Sequence, residues 1–161
     1  MTEQQSRPPS ASRVEMTELV LPGDANTLGN AFGGRIMQWI DVAAGVVARR
    51  HCGGVAVTAS MDTLQFVRPV QLGDIVVLRA TVNRAWRSSM EIGVRVECEA
   101  SGWAKPELAA SAYLTFVAMD ADRKPRPVPP VAPQTEGERR RFDEAQQRRE
   151  HRISSRIPKP A

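Results

Sequence analysis

Cysteine is scarce in this chain: Cys52 and Cys98 are the only two among 161 residues. So wide a separation offers neither a disulfide framework nor metal-ligand spacing, and no metal is expected. Each is expected to be a small buried or half-buried residue of a protein kept in a reducing cytoplasm. Histidine is equally scarce. His51 follows Arg49-Arg50 and precedes Gly53-Gly54, a cationic last turn before a glycine stop, so it reads as structural. His151 falls in the C-terminal tail, which leaves no Ser-His-Asp set. Aromatic residues make up 5% and do not interleave with basic ones, which argues against nucleic acid as a partner. No apolar run is long enough to span a bilayer, and the polar residues 1–13 hold no apolar leader segment. Neither a membrane nor export is therefore expected.

The net charge of +4 lies almost entirely at one end. Residues 1–120 carry 11 Lys+Arg against 12 Asp+Glu, and residues 121–161 carry 11 against 6. The body is near neutral and the tail is basic. A basic tail could meet phosphates or could simply be a solvated charged segment.

The length supports one domain. Residues 1–11, with Pro8-Pro9 and several Ser and Gln, read as disordered. Residues 12–120 form the body. Val14, Met16 and Leu19–Leu21 begin a first strand, ended by Pro22-Gly23, and a polar loop leads to Gly33-Gly34. From there to about Arg50 runs one long helix. Ile36, Met37, Trp39, Ile40, Ala43, Ala44, Val46 and Val47 cover most of its circumference, the mark of a buried helix. Gly34, Gln38, Asp41 and Gly45 share one stripe. Two absent side chains bracketing two polar ones describe a narrow groove with a carboxylate in its floor, and a buried carboxylate must be paired or used.

Four β-rich segments follow. Val55–Phe66 sets Thr58, Ser60 and Asp62 against Val57, Ala59 and Met61, the period of a half-buried strand. Ile75–Trp86 and Met90–Ala100 come next, and Leu108–Met119, with few charges, is expected inside the sheet. One helix followed by consecutive strands suits an α+β unit in which an antiparallel sheet wraps a single long helix. Residues 121–161 comprise a Pro-rich linker, Pro125–Pro130, and a basic helix opened by the capping box Thr135-x-x-Glu138. Its thin apolar seam (Phe142, Ala145, Ile153) needs the body to order it, and Ser154–Ala161 is expected to fray.

Asn26-x-x-Gly29-x-x-Phe32-Gly33-Gly34 with Met37 and Asp41 resembles the hot-dog-fold acyl-CoA thioesterases, both the bacterial broad-specificity hydrolases and the domains of the cytosolic vertebrate enzymes. The likeness continues through Val57–Asp62, Phe66–Pro69, Gly73-Asp74, Ser88–Glu91 and Tyr113–Val117, over about residues 14 to 150. It implies hydrolysis of acyl-CoA to free CoA and a carboxylic acid, with CoA as part of the substrate and no separate cofactor. It implies Asp41 as general base or nucleophile and Asn26 as the group that orients water or substrate. Val42 stands where many relatives carry a second carboxylate.

Gly33-Gly34 opens the helix, where free N–H groups and the positive dipole end suit a developing oxyanion. The pair would equally permit tight packing. For the carrier, Arg87-Ser88-Ser89 resembles the segment lining the CoA channel, and Thr58 faces the groove. Dimerisation through a continuous sheet would bury the surfaces one helix cannot cover. The resemblance implies homodimers assembled into hexamers as trimers of dimers. Because Asn26 would have to fold back along its own helix to meet Asp41, each site is expected to be shared between two chains. A non-catalytic acyl-CoA-binding hot-dog protein, a sensor or subunit, is the competing reading, and a pure binder has no need of both Asn26 and Asp41.

Overall fold

The computed structural model describes residues 4–99 and 105–158. One helix, α1 (Gly33–Cys52), lies against a five-stranded sheet of β1 (Val14–Leu19), β2 (Ala56–Phe66), β3 (Ile75–Ala85), β4 (Ser89–Glu99) and β5 (Glu107–Ala118). The strands run in the order β1-β3-β4-β5-β2, every neighbouring pair antiparallel. This is the expected α+β hot-dog fold. Strand β5 is interior, between β4 and β2. Ala100, the expected last residue of the fourth strand, lies outside the described residues.

The two periodicities build the core. Met90, Ile92, Val94, Val96 and Cys98 of β4 alternate inward, and Ile36, Ile40, Ala43, Ala44 and Val47 recur on one side of α1. Ala43 and Ala44 have no exposed surface, and such small residues let helix and sheet approach closely. Both cysteines are free and buried, and burial pushes the Cys98 thiol up to about 11. Helix α1 stops at Gly53, whose φ of 68° is the left-handed conformation that glycine adopts without strain; its N–H returns to the Arg49 carbonyl. No described helix is long and apolar enough to cross a membrane.

The expected burial of α1 on most sides does not occur within one chain. Met37, Val42 and Val46 are 43%, 50% and 37% exposed, and Asp41 is only half-buried. A sheet on one side of a helix leaves the other side open. Strand β2 also departs from its expected alternation. Register shifts at Thr58/Ser60 and Met61/Thr63 interrupt its pairing with β5, and Val57 and Phe66 stay exposed. Each bulge inserts a residue and resets which face the next ones occupy.

Residues 4–11 are not disordered, and residues 1–3 lie outside the described residues. Pro9–Ala11 forms a 3-10 turn, and Arg7 pairs with Val131 through N–H to Pro130 and C=O to Ala132. The Arg7 guanidinium donates to the carbonyls of Arg50 and His51, capping α1 where helix carbonyls lack partners. The Pro-rich segment is likewise a strap rather than a free linker. Val128 and Val131 are buried, and Val128 donates its N–H to Arg87 at 3.0 Å.

Under this strap His51 is fully buried, its Nε2 2.9 Å from the Pro129 carbonyl. A carbonyl only accepts, so Nε2 carries the proton and Nδ1, buried and without a partner, does not. Burial lowers the His51 pKa, the Pro129 bond raises it and nearby Arg7 lowers it; the net direction is down from 6.5. Below that value the unfolded chain gains a proton that the folded chain refuses, so stability falls as pH drops. Denaturant midpoints measured between about pH 7.5 and 5.5 should fall more steeply for wild type than for His51→Gln. Equal slopes would exclude His51 as their source.

Helix α2 (Glu136–Ser154) carries the expected capping box: Glu138 N–H donates to Thr135 Oγ1, and Thr135 N–H donates to Glu138 Oε2, each at 3.1 Å. It docks on the sheet face opposite α1. Glu91 is fully buried there and takes hydrogen bonds from Arg148, the shortest 2.7 Å, and from Asn83 at 3.0 Å. Burial alone would lower the Arg148 pKa, but the Glu91 hydrogen bonds and charge raise it. Arg148 also lies over Tyr113, 3.8 Å from the ring centroid. A buried carboxylate stripped of its partner costs several kcal/mol, roughly 3–5, so Glu91 ties α2 firmly to the sheet.

Candidate active site

The loop before α1 is shaped by its asparagine. Asn26 Oδ1 accepts the N–H groups of Leu28 at 2.9 Å and Asn30 at 3.2 Å, and the backbone closes with Asn26 N–H to Asn30 C=O at 2.8 Å. With its carbonyl oxygen committed, Asn26 has its amide Nδ2 left to donate, and no described protein group takes it. A turn-forming and a donor role thus coexist in one side chain. An ion pair of Asp24 with Arg35 at 2.8 Å ties the loop to the first turn of α1.

Gly33 and Gly34 begin that turn. The N–H groups of Arg35 and Ile36 return to Phe32 C=O, and those of Gly33 and Gly34 have no acceptor among the described residues. A Cβ on Gly34 would meet nothing within 4 Å, and one on Gly33 only Phe66 at ordinary contact distance. Packing within the chain therefore does not require either glycine. What the missing side chains leave open is approach from outside the chain, by a ligand or a second subunit. Asn26 and Gly33 line one cleft of about 490 Å³ with Ile36, Phe66, Val67 and Pro69.

Asp41 is not in that cleft. It lies eight residues, about 12 Å, further along α1. Its Oδ1 accepts a 2.6 Å hydrogen bond from Thr58 Oγ1, which reaches across from β2 at its first bulge. Only one carboxylate oxygen is so engaged, and the residue is half-exposed. Gln38 of the same stripe accepts from Arg35 at 2.8 Å. One chain thus assembles two separate groups: free donors on Asn26, Gly33 and Gly34, and a carboxylate–hydroxyl pair, Asp41 and Thr58.

Arg87 and Ser88 lie in the turn between β3 and β4, and Ser89 opens β4. The Ser88 carbonyl accepts from Ala118 at 2.9 Å, and Ser89 Oγ accepts from Arg149 at 3.3 Å. Register places this turn near Thr58: Ser89 faces Val117, and Val117 faces Val57. The gap is two strand spacings, about 10 Å. Sequence reasoning missed the arginines that α2 brings to this turn. Their spacing along a charged helix gave no sign of where the helix would dock.

Residues 28–102 match the family model of the thioesterase superfamily. The uncharacterized acyl-CoA thioester hydrolase YkhA of Bacillus subtilis is 45% identical over 127 residues, covering 79% of this chain and 74% of that protein. A hexameric acyl-CoA thioesterase superposes with a TM-score of 0.90 at 41% identity, covering 93% of this chain and 96% of that one. The acyl-CoA hydrolase of Staphylococcus aureus, solved with butyryl-CoA and CoA, gives 0.88 at 39% identity over 92% and 91%. That enzyme is also known with one asparagine, one aspartate or one threonine replaced by alanine, at positions separated by 15 and 17 residues. The chain belongs to the thioesterase superfamily, among its acyl-CoA thioester hydrolases.

Proposed function

We propose that this protein hydrolyses acyl-CoA thioesters at sites shared between two subunits. The observation that carries the reading is the Thr58–Asp41 pair, an oriented carboxylate with a free oxygen on an open helix face. The separations of the substituted residues in the Staphylococcus aureus enzyme are those of Asn26, Asp41 and Thr58 here, which supports giving these three the reacting roles. In the reaction, water oxygen bonds to the thioester carbonyl carbon, the C–S bond breaks, and CoA leaves as a thiolate that takes up a proton. The N–H groups of Gly33 and Gly34 and the Asn26 amide donate to the carbonyl oxygen as it gains charge. Asp41 removes the proton of water, or attacks first to give an anhydride that water then opens. Thr58 restrains the carboxylate in either route.

The second subunit supplies the missing half. The exposed Met37, Val42 and Val46 of α1, with Val57 and Phe66 of the unpaired edge β2, form an apolar band suited to a two-fold copy. A helix running antiparallel across that axis carries Asn26 of one chain to Asp41 of the other. Relatives that are hexamers support assembly of such dimers into a trimer of dimers. Two buried free thiols fit a reducing compartment, and we place the enzyme in the cytoplasm.

The test is thiol release from a panel of acyl-CoA esters of graded chain length. Catalysed release from at least one ester is expected. Saturable binding of the esters with no release above the uncatalysed rate would instead favour a non-catalytic acyl-CoA-binding protein.

A further inference from the structure

Gly33, Met37 and Asp41 follow one another at intervals of four along α1 and form one ridge of the helix. Such ridges are what a helix offers a neighbouring helix to pack against. Both ends of this ridge lie toward β2. A Cβ on Gly33 would stand 3.9 Å from the Phe66 ring, and Asp41 accepts from Thr58. Strand β2 is the last strand of the sheet on that side, so the ridge runs along the open flank of the chain. Met37, at its centre, is 43% exposed, whereas Ile36 and Ile40 on the sheet side of the helix are buried. Gly33 carries no side chain that would hold a second backbone away.

We infer that Met37 lies on the two-fold axis of the dimer, packs against its own copy and so fixes the register of the two helices. This rests on the reading of a site shared between two subunits. The N–H of Gly33 and the carboxylate of Asp41 must reach one thioester carbonyl, yet on one helix they are about 12 Å apart. In an antiparallel two-fold pair, a residue before the axis faces the residue equally far beyond it on the other chain. Gly33 and Asp41 face each other only when the axis crosses the helix midway between them, at Met37. Taking Gly34 in place of Gly33 moves the crossing by half a residue. An axis one turn further along would set the two Asp41 carboxylates against each other, and like charges repel. A residue on the axis must pack against a rotated copy of itself, which the unbranched, flexible thioether of methionine does readily. The two sites then flank the Met37 pair, each about 6 Å along the helix from the axis.

The test uses symmetry: on the axis a residue meets itself, and off the axis it meets a different residue. Met37→Cys chains should link to each other on mild oxidation, shifting to twice the chain mass on a non-reducing gel. Gly33→Cys and Asp41→Cys chains should each stay unlinked alone and should link as a mixed pair when co-expressed. A short bis-maleimide replaces oxidation where the Cα atoms stand further apart than a disulfide spans, about 7 Å. Wild type is the blank, because Cys52 and Cys98 are buried. Met37 is exposed within the chain, so its substitution leaves the core of each chain intact. Turnover plays no part in the readout. A protein that links at Met37 but hydrolyses nothing keeps the register and loses the catalytic reading, and one that hydrolyses but links elsewhere loses the register alone. Met37→Cys chains left unlinked by both reagents would overturn the inference, as would self-linking of Gly33→Cys or Asp41→Cys in their place.

Discussion

Asp41→Asn is expected to lower kcat by about two orders of magnitude or more, the scale of a lost general base, with the affinity for CoA little changed. The substitution keeps shape and the acceptor for Thr58 Oγ1, which stands 2.6 Å from Oδ1. What it removes is the basic oxygen and the negative charge. Asp41 lies mid-helix, half-exposed, and pairs with no arginine among the described residues, so its loss strips no buried cation of a partner and stability should change little. Steady-state thiol release with a thermal melt checks both points. Near-wild-type turnover in a folded Asp41→Asn protein would remove Asp41 from the mechanism under either chemical route, base or nucleophile.

Co-expression of Asn26→Ala with Asp41→Asn chains should restore activity that neither variant has alone. Each homodimer loses one half of every site. In a mixed dimer a two-fold operation puts both substitutions in one site and neither in the other. Random pairing makes about half of the dimers mixed, so about a quarter of all sites should recover, a symmetry argument independent of mechanism. The chains should be co-expressed, because an obligate dimer need not exchange subunits once folded. The motive is geometric. Asn26 shares its cleft with Gly33, at the start of α1, and Asp41 stands outside that cleft, further along the same helix. Mixed dimers demonstrated by differential tags yet inactive would mean that the site is not assembled in trans.

Much of the architecture is legible in the sequence alone. The period of β4 in Ile92, Val94, Val96 and Cys98, the glycine stop after His51 and the capping box at Thr135 are local signals, each decided within a few residues by hydrogen bonding or by alternation. All three stand in the structure as read. Where reading failed, the deciding partner was remote. Residues 4–11 looked disordered because their composition is polar and proline-rich, yet Arg7 finds the end of α1 and a bridge to Val131. The helix looked buried on most sides because apolar residues surround it, and composition does not reveal which side a single sheet will cover.

The residue types of the site belong to the sequence: an asparagine before a glycine pair, an aspartate eight residues into the helix, a threonine on the next strand. Their spacing along α1 also followed, because 1.5 Å of rise per residue separates Gly33 from Asp41 whatever the rest of the chain does. Tertiary structure alone decided that Thr58 meets Asp41, since pairing opposite Phe116, which packs at Gly45 of α1, turns Thr58 to the α1 side of the sheet. It alone decided that α2 lies on the outer face of the sheet, because the burial of Glu91 under Arg148 selects that docking from many that a charged helix allows. Helical rise and strand alternation are properties of the local backbone. Contacts between elements depend on register and on the one arrangement that satisfies every buried charge, and those are settled only when the whole chain is packed.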